Sequence, residues 1–211
     1  MTSHRPKAPR GHRDPALVAA KLARLDEPHV RPLNELVREI NRNRGAETTP
    51  WFDPDGGGVG ALALFLLECP GRMATAGRGS GFISADNDDQ TAANFFALRD
   101  EAGLSRDRLV AWNVVPWYLP AGNRTANATA ADVREAAPWL TRLIELLPSL
   151  ELVVPMGRRA QQGWAEYAGD RELPRGLDVI AIPHPSPLAL NGRPHRRDEI
   201  RDAMRRAAAL N

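Results

Sequence analysis

The chain has one cysteine, Cys69, among its 211 residues. A single cysteine excludes an internal disulfide, a four-cysteine zinc site and a four-cysteine iron–sulfur cluster, so no metal or other cofactor is expected. Long apolar runs are also missing, since a run such as Val59–Leu67 is too short to span a bilayer. The first residues do not show the charged, then apolar, then small-residue pattern of a signal peptide. We therefore expect a cytoplasmic protein without a membrane partner.

Lysine is scarce as well, because Lys7 and Lys21 are the two lysines among 28 basic residues and arginine supplies the rest. The 26 acidic residues nearly balance them, which leaves a net charge of +2. Arginine is concentrated near both ends of the chain, a weak indication of a polyanionic partner. Composition alone favours the alternative of a solvated arginine-rich surface, which stays open.

The pattern of polar and apolar residues predicts a flexible basic arm over 1–14 and a single domain over 15–211. Four apolar runs after the helical start predict the strands Val59–Leu67, Leu109–Val115, Leu150–Pro155 and Leu177–Ile182. Helical spacing predicts the helices Ala16–Leu25, Leu33–Asn43, Thr91–Ala102, Ala130–Leu147 with a kink at Pro138, Gly157–Tyr167 and His195–Leu210, and a polar loop over Trp117–Ala128. Buried strands joined by helices predict an α/β fold, a three-layer αβα sandwich with a central four-stranded parallel sheet.

Three of the predicted strands end in residues that can carry chemistry. The first is followed by Glu68, the second contains Asn113, and the fourth leads into His184 within a proline-rich turn. The carboxyl ends of parallel strands share one edge, so a carboxylate, an amide and an imidazole are expected at one crevice. An amide offers a donor and an acceptor to a base edge, and an imidazole can stabilise a developing negative charge.

Four segments together resemble the uracil-DNA glycosylase superfamily over roughly 58–191. The most specific is His184-Pro185-Ser186-Pro187-Leu188-Ala189, which is similar to the HPSP-type loop of that superfamily. The other segments are Glu68-Cys69-Pro70-Gly71, similar to the first motif of the iron–sulfur branch, Trp112-Asn113-Val114-Val115-Pro116 and Gly81-Phe82-Ile83-Ser84. The resemblance implies a monomeric enzyme that flips uracil out of single- or double-stranded DNA and hydrolyses its N-glycosidic bond.

The resemblance also implies a role for each matching residue. His184 would stabilise charge on uracil O2, Asn113 would read the base edge, and Phe82 would stack on the base. Leu188 would fill the gap left in the duplex. The phosphate backbone would be gripped by Pro70, Gly71, Ser186 and Pro187. Cys69 would lie beside the substrate as a small residue rather than as a nucleophile.

The main departure from the family pattern concerns the residue that activates water. Cys69 occupies the position where the most efficient branch has an aspartate, and Arg72 follows the glycine where the iron–sulfur branch soon has an acid. Glu68 is the nearest candidate carboxylate, with Asp86, Asp88 and Asp89 as alternatives. Two other functions remain open at this point, a protein that grips damaged or single-stranded DNA with little hydrolysis, and a nucleotide-processing α/β enzyme.

Overall fold

The computed structural model describes residues 6–121, 124–125, 127–169 and 171–211. Its helices are α1 (Pro15–Leu22), α2 (Arg31–Arg44), α3 (Gln90–Glu101), α4 (Ala130–Glu145), α5 (Arg158–Ala168), α6 (Pro187–Leu190) and α7 (Pro194–Ala208). Side-chain caps set several of their starts, since Asp14, Asp89 and Thr129 each accept a backbone N–H from the first turn. None of the helices in these ranges combines the length and apolarity needed to cross a bilayer.

The strands form one main sheet and two short pairs. In chain order they are β1 (Trp51–Phe52), β2 (Ala63–Leu67), β3 (Phe82–Ile83), β4 (Leu109–Asn113), β5 (Pro120–Ala121), β6 (Arg124–Thr125), β7 (Leu152–Pro155) and β8 (Asp178–Val179). The main sheet has the order β4-β2-β7-β8, and all its pairs are parallel. The predicted α/β fold with a four-stranded parallel sheet is therefore confirmed.

Helices cover both faces of the sheet, and each face has its own apolar core. Successive side chains of β2 point to opposite faces, so Leu64 and Leu66 pack with α2, α4 and α5. Ala63 and Phe65 pack on the other side with α3 and α7. Because both faces are covered, the carboxyl edge of the sheet is where a ligand can approach the strands.

Several predicted boundaries differ from the structure. The first strand begins at Ala63 because Gly58–Gly60 forms a 3₁₀ turn. Gly58 has φ +56° there, and a Cβ at this position would lie 2.1 Å from the carbonyl oxygen of His29. Helix α4 continues through Pro138, and the segment predicted as a polar loop contains the β5–β6 pair.

The described part of the N-terminal segment makes long-range contacts with the 86–88 loop. Arg10 and Arg13 both pair with Asp88, at 3.1 and 2.7 Å. The N–H of His12 donates to the carbonyl of Asp86 at 2.9 Å. These contacts hold residues 10–13 against the 86–88 loop, and the flexible arm over 1–14 stays a prediction. Residues 1–5 lie outside the described part of the chain.

Candidate functional site

A crevice of about 430 Å³ opens at the carboxyl edge of the main sheet. Leu67 and Asn113 line it from the ends of β2 and β4, and Met156 and His184 line it just beyond β7 and β8. Further lining comes from the segment after β2, the segment Ile83–Ala85 and the start of α3. The strand ends thus bring together the three groups that the sequence places at one edge, namely Glu68, Asn113 and His184.

Asn113 is the most unusual polar side chain of the crevice. It is the last residue of β4 and is 0% exposed. Neither its Nδ2 nor its Oδ1 has a hydrogen-bond partner among the described residues. A buried amide without partners costs free energy in the folded protein, about 1–3 kcal/mol for each unsatisfied group. A ligand that offers both an acceptor and a donor would satisfy the two atoms together.

His184 lies in a turn that favours its neutral form. Burial lowers its pKa below the ordinary 6.5, against an opposite effect of Asp89. The backbone N–H of Ser186 donates to its Nδ1 at 3.2 Å. The neutral ring with Nδ1 as acceptor carries its proton on Nε2, so the imidazole can donate a hydrogen bond without being charged.

The histidine turn is held by groups that the sequence does not single out. Asn94 of α3 donates to the carbonyl of Pro185 at 2.8 Å, and Gln161 of α5 donates to that of Ile182 at 2.8 Å. Gly157 has φ +84°, and a Cβ there would lie 2.8 Å from the Cβ of His184. Asn94 leaves a small trace in the sequence, as a polar residue within the apolar stretch 92–96. Gln161 and Gly157 act through long-range contacts that leave no local pattern in the sequence.

The carboxylates proposed for water activation divide into two groups. Glu68 and Asp89 line the crevice. Glu68 Oε1 accepts the N–H of Ala128 at 2.7 Å, and Asp89 caps α3. Asp86 is fully buried among basic groups, and Asp88 pairs with two arginines, so both are engaged away from the crevice.

The residues of the first motif differ in whether they line the crevice. Cys69 and Gly71 line it, whereas Pro70 is buried and is not a lining residue. Burial raises the pKa of Cys69 to about 12, with a smaller contribution from Glu68. The thiol is therefore protonated at neutral pH and can act neither as a nucleophile nor as a general base.

Phe82, predicted to stack on the base, is not among the residues that line the crevice. Its side chain is 0% exposed, does not line the crevice and lies with its ring centroid 5.8 Å from that of His12. Its strand neighbour Ile83 lines the crevice, since adjacent side chains of a strand point to opposite faces. Phe95 of α3 is an aromatic residue that does line the crevice. Phe95 is therefore an aromatic side chain at the crevice, and stacking by Phe82 stays a prediction.

The proline-rich loop presents an apolar side chain to solvent. Leu188, on the short helix α6, is 88% exposed. Arg193 donates to its carbonyl at 2.8 Å, and Arg196 donates to that of Ala189 at 3.3 Å. Ser186 and Pro187 precede it and are half-buried. A wedge residue must protrude in this way, so the position agrees with the role implied for Leu188.

Within the described part of the chain, possible metal ligands come together around His12, Asp53 and Asp86. The ammonium of Lys21 already lies 2.7 Å from Asp53 Oδ2 and from Asp86 Oδ2. A resident ammonium supplies the positive charge that a metal ion would bring, so these residues do not fit a metal site.

Residues 60–208 match the family model described as the Uracil DNA glycosylase superfamily. The chain belongs to this superfamily. No curated protein matches the chain. Membership indicates a DNA glycosylase that acts on damaged bases, with DNA as its substrate and hydrolysis as its reaction. The matched range includes Asn113, the first motif and the proline-rich loop, and it excludes the N-terminal segment that packs against the 86–88 loop.

Proposed function

We propose that this superfamily member excises uracil from DNA by hydrolysing its N-glycosidic bond and leaves an abasic site. The observation that carries the proposal is the buried amide of Asn113, in a crevice shared with His184, whose donor and acceptor both lack partners among the described residues. Uracil has adjacent N–H and C=O groups on one edge, which match the acceptor and donor of one carboxamide. The base would leave the helix stack to reach this amide.

Charge stabilisation would supply most of the acceleration. As the bond between C1′ and N1 breaks, the bonding electrons go to the base, and a water oxygen bonds to C1′. His184 would donate its Nε2 proton as a hydrogen bond to the carbonyl oxygen that gains negative charge. A neutral donor in a largely apolar crevice is worth more than the same donor in water. The water loses its proton to solvent or to a carboxylate of the crevice, for which Glu68 and Asp89 are the candidates.

Arginines without acidic partners support DNA as the substrate. Arg72 follows the first motif, and Arg158 and Arg159 directly follow Gly157 at the turn that contacts His184. These three are exposed and have no hydrogen bond or ion pair with any described residue. Guanidinium groups left free beside a crevice can neutralise phosphates on either side of a flipped nucleotide.

The proposal is tested with a labelled oligonucleotide that contains one uracil. The protein should release the base, which alkali then converts into strand breakage. His184→Ala should slow release at least about a hundredfold because the charge-stabilising donor is lost. His29→Gln is the control, since His29 bonds the carbonyl of Pro54 outside the crevice and its loss should leave the rate unchanged.

A second variant separates charge stabilisation from water activation. Glu68→Gln keeps an acceptor for the N–H of Ala128 and removes the carboxylate, and its rate should stay near that of the wild type. A rate lost in Glu68→Gln and kept in His184→Ala would contradict the mechanism. A gel shift without strand breakage would instead favour a protein that binds DNA without hydrolysis.

A further inference from the structure

A buried cluster of charges joins the N-terminal segment to the crevice. Lys21 of α1 is 2% exposed, and its Nζ lies 2.7 Å from Asp53 and from Asp86 and 3.2 Å from Asp55. Arg106 also pairs with Asp86, at 2.6 Å. A lysine is rarely buried this completely unless its charge is matched by close partners.

The acids of the cluster stabilise the charged form of Lys21. Burial acts against the charged form of Lys21, but Asp53, Asp86 and Asp55 outweigh it and raise its pKa. Burial likewise opposes ionisation of Asp86, and its bonds with Arg106 and Lys21 keep its pKa below the usual value. Removal of one charge from such a cluster leaves its partners buried and unpaired, which strongly destabilises the folded protein.

Two of these acids are bonded to the segment Ile83–Asn87, which we call the crevice wall. Asp86 belongs to it, and Asp53 accepts a hydrogen bond from the hydroxyl of Ser84. The same hydroxyl accepts the N–H of Asp86 at 3.0 Å. Ile83, Ser84, Ala85 and Asn87 line the crevice together with Asn113. The ammonium thus bonds Asp86 of the wall directly and is linked to Ser84 of the wall through Asp53, which follows β1.

His12 adds a second tie from the N-terminal segment to the wall. Its Nδ1 lies 2.8 Å from Asn87 Oδ1, and Asn87 in turn donates to the carbonyl of Phe82 at 2.9 Å. Both Lys21 and His12 lie outside the residues that match the family model. The wall is therefore braced by a part of the chain that the family match does not cover.

We propose that Lys21 is a positioning residue for base recognition, whose ammonium joins Asp53 to Asp86 and so fixes the crevice wall that faces the same space as Asn113. The inference rests on the proposed function, because it concerns placement of the flipped base. DNA affinity comes mainly from phosphate contacts, so loss of Lys21 affects the chemical step more than binding.

The test compares Lys21→Met with Arg24→Met. Arg24 pairs with Asp55 and Glu27 in the same cluster but contacts no residue of the wall. Under single-turnover conditions Lys21→Met should lower the maximal rate of uracil release by about tenfold to a hundredfold, because small displacements of a reacting group are costly. The enzyme concentration for half-saturation should change by less than about threefold in the same variant. Arg24→Met should keep both values while losing thermal stability.

A charge-balanced double variant and amide hydrogen exchange provide two further tests of the role of Lys21. If Lys21→Met does not fold, Lys21→Met with Asp55→Asn restores the charge balance without touching the wall, and it should show the same loss of rate. If the wild type releases no uracil, the proposed function fails by itself. Amide hydrogen exchange over Ser84–Asn87 then decides the inference, since it should increase in Lys21→Met and not in Arg24→Met. Equal rates, or equal exchange, in the two variants would overturn it.

Discussion

At the scale of single residues, Asn113 combines complete burial with two polar atoms that have no partner in the described chain. Such a residue is unfavourable for the fold and favourable for a ligand that pairs with it. Replacement by an apolar residue of similar size removes the burial cost. If the asparagine had a purely structural role, the same replacement would destabilise the fold. The two roles therefore predict changes of opposite sign in stability.

We expect Asn113→Leu to abolish uracil release and to leave the free energy of unfolding unchanged or higher by about 1–2 kcal/mol. Urea denaturation and the oligonucleotide assay measure the two effects on the same preparation. Leu64→Ala, at a fully buried core position of β2, is the contrasting case and should cost about 2–5 kcal/mol. A strongly destabilised Asn113→Leu would show that the amide is structural.

The protonation state of His184 yields a prediction on pH. Burial lowers its pKa below 6.5, so the neutral donor persists in the folded protein at pH values where an exposed histidine would be charged. The maximal rate should be level through neutral pH and fall only below pH 6.5. Below pH 6.5 the unfolded chain binds a proton at His184 more readily than the folded protein does. The contribution of His184 to stability therefore also falls as pH drops below 6.5.

Asp89→Asn provides the check on that assignment. Asp89 raises the pKa of His184, so its removal should shift the acid limb of the rate profile to still lower pH. A rate that instead falls as pH rises through 6.5 would mean that the charged imidazole is the active form.

At the scale of elements, the turn from β7 into α5 is built around close contact with the histidine loop. Gly157 donates its N–H to the carbonyl of Ile182 at 2.7 Å, and its missing side chain leaves room for His184. The parallel bridge between Met156 and Ile182 extends the same pairing beyond β8. The loop that carries His184 is thus positioned by backbone contacts with its neighbouring strand.

Gly157→Ala should therefore reduce the maximal excision rate at least about tenfold, because the added Cβ displaces His184. Gly176→Ala is a matched control, since Gly176 has φ +79° but no atom within 4 Å of an added Cβ. Both variants should lose about 1–3 kcal/mol of stability from backbone strain. Only Gly157→Ala should lose rate at temperatures where both remain folded, and equal rates would contradict the proposed contact.

At the scale of the whole molecule, the arginines divide by their partners. Many form ion pairs with nearby acids, as Arg205 does with Asp202 at 3.1 Å. Arg158 and Arg159 have no such partner within the described residues. A protein with a net charge of only +2 can therefore still present a local positive surface to DNA.

Arg158→Gln with Arg159→Gln should weaken single-stranded DNA binding and reduce the slope of log affinity against log salt by about 1.4. Titrations at several salt concentrations measure the slope directly. Arg205→Gln removes a cation that already has an acidic partner and should leave the slope unchanged. Equal slopes in the double variant and the wild type would show that the DNA does not contact Arg158 and Arg159.

The parts of the fold that the sequence predicts are those with local signals. Apolar runs and helical spacing locate the strands of the main sheet and the long helices, and strand ends locate Asn113 and His184. The orientation of Phe82 could not be predicted, because a shift of one residue along a two-residue strand reverses which side chain faces the crevice. The cluster around Lys21 was missed because its contact with Asp86 spans 65 positions of the chain.

The state of Cys69 affects how the protein would respond to oxidants. Peroxides and alkylating agents react with thiolates, and a thiol whose pKa is about 12 supplies almost none at neutral pH. The thiol of Cys69, which lines the crevice, is therefore slow to oxidise. Under oxidative conditions Cys69 would therefore remain a neutral thiol in the wall of the crevice.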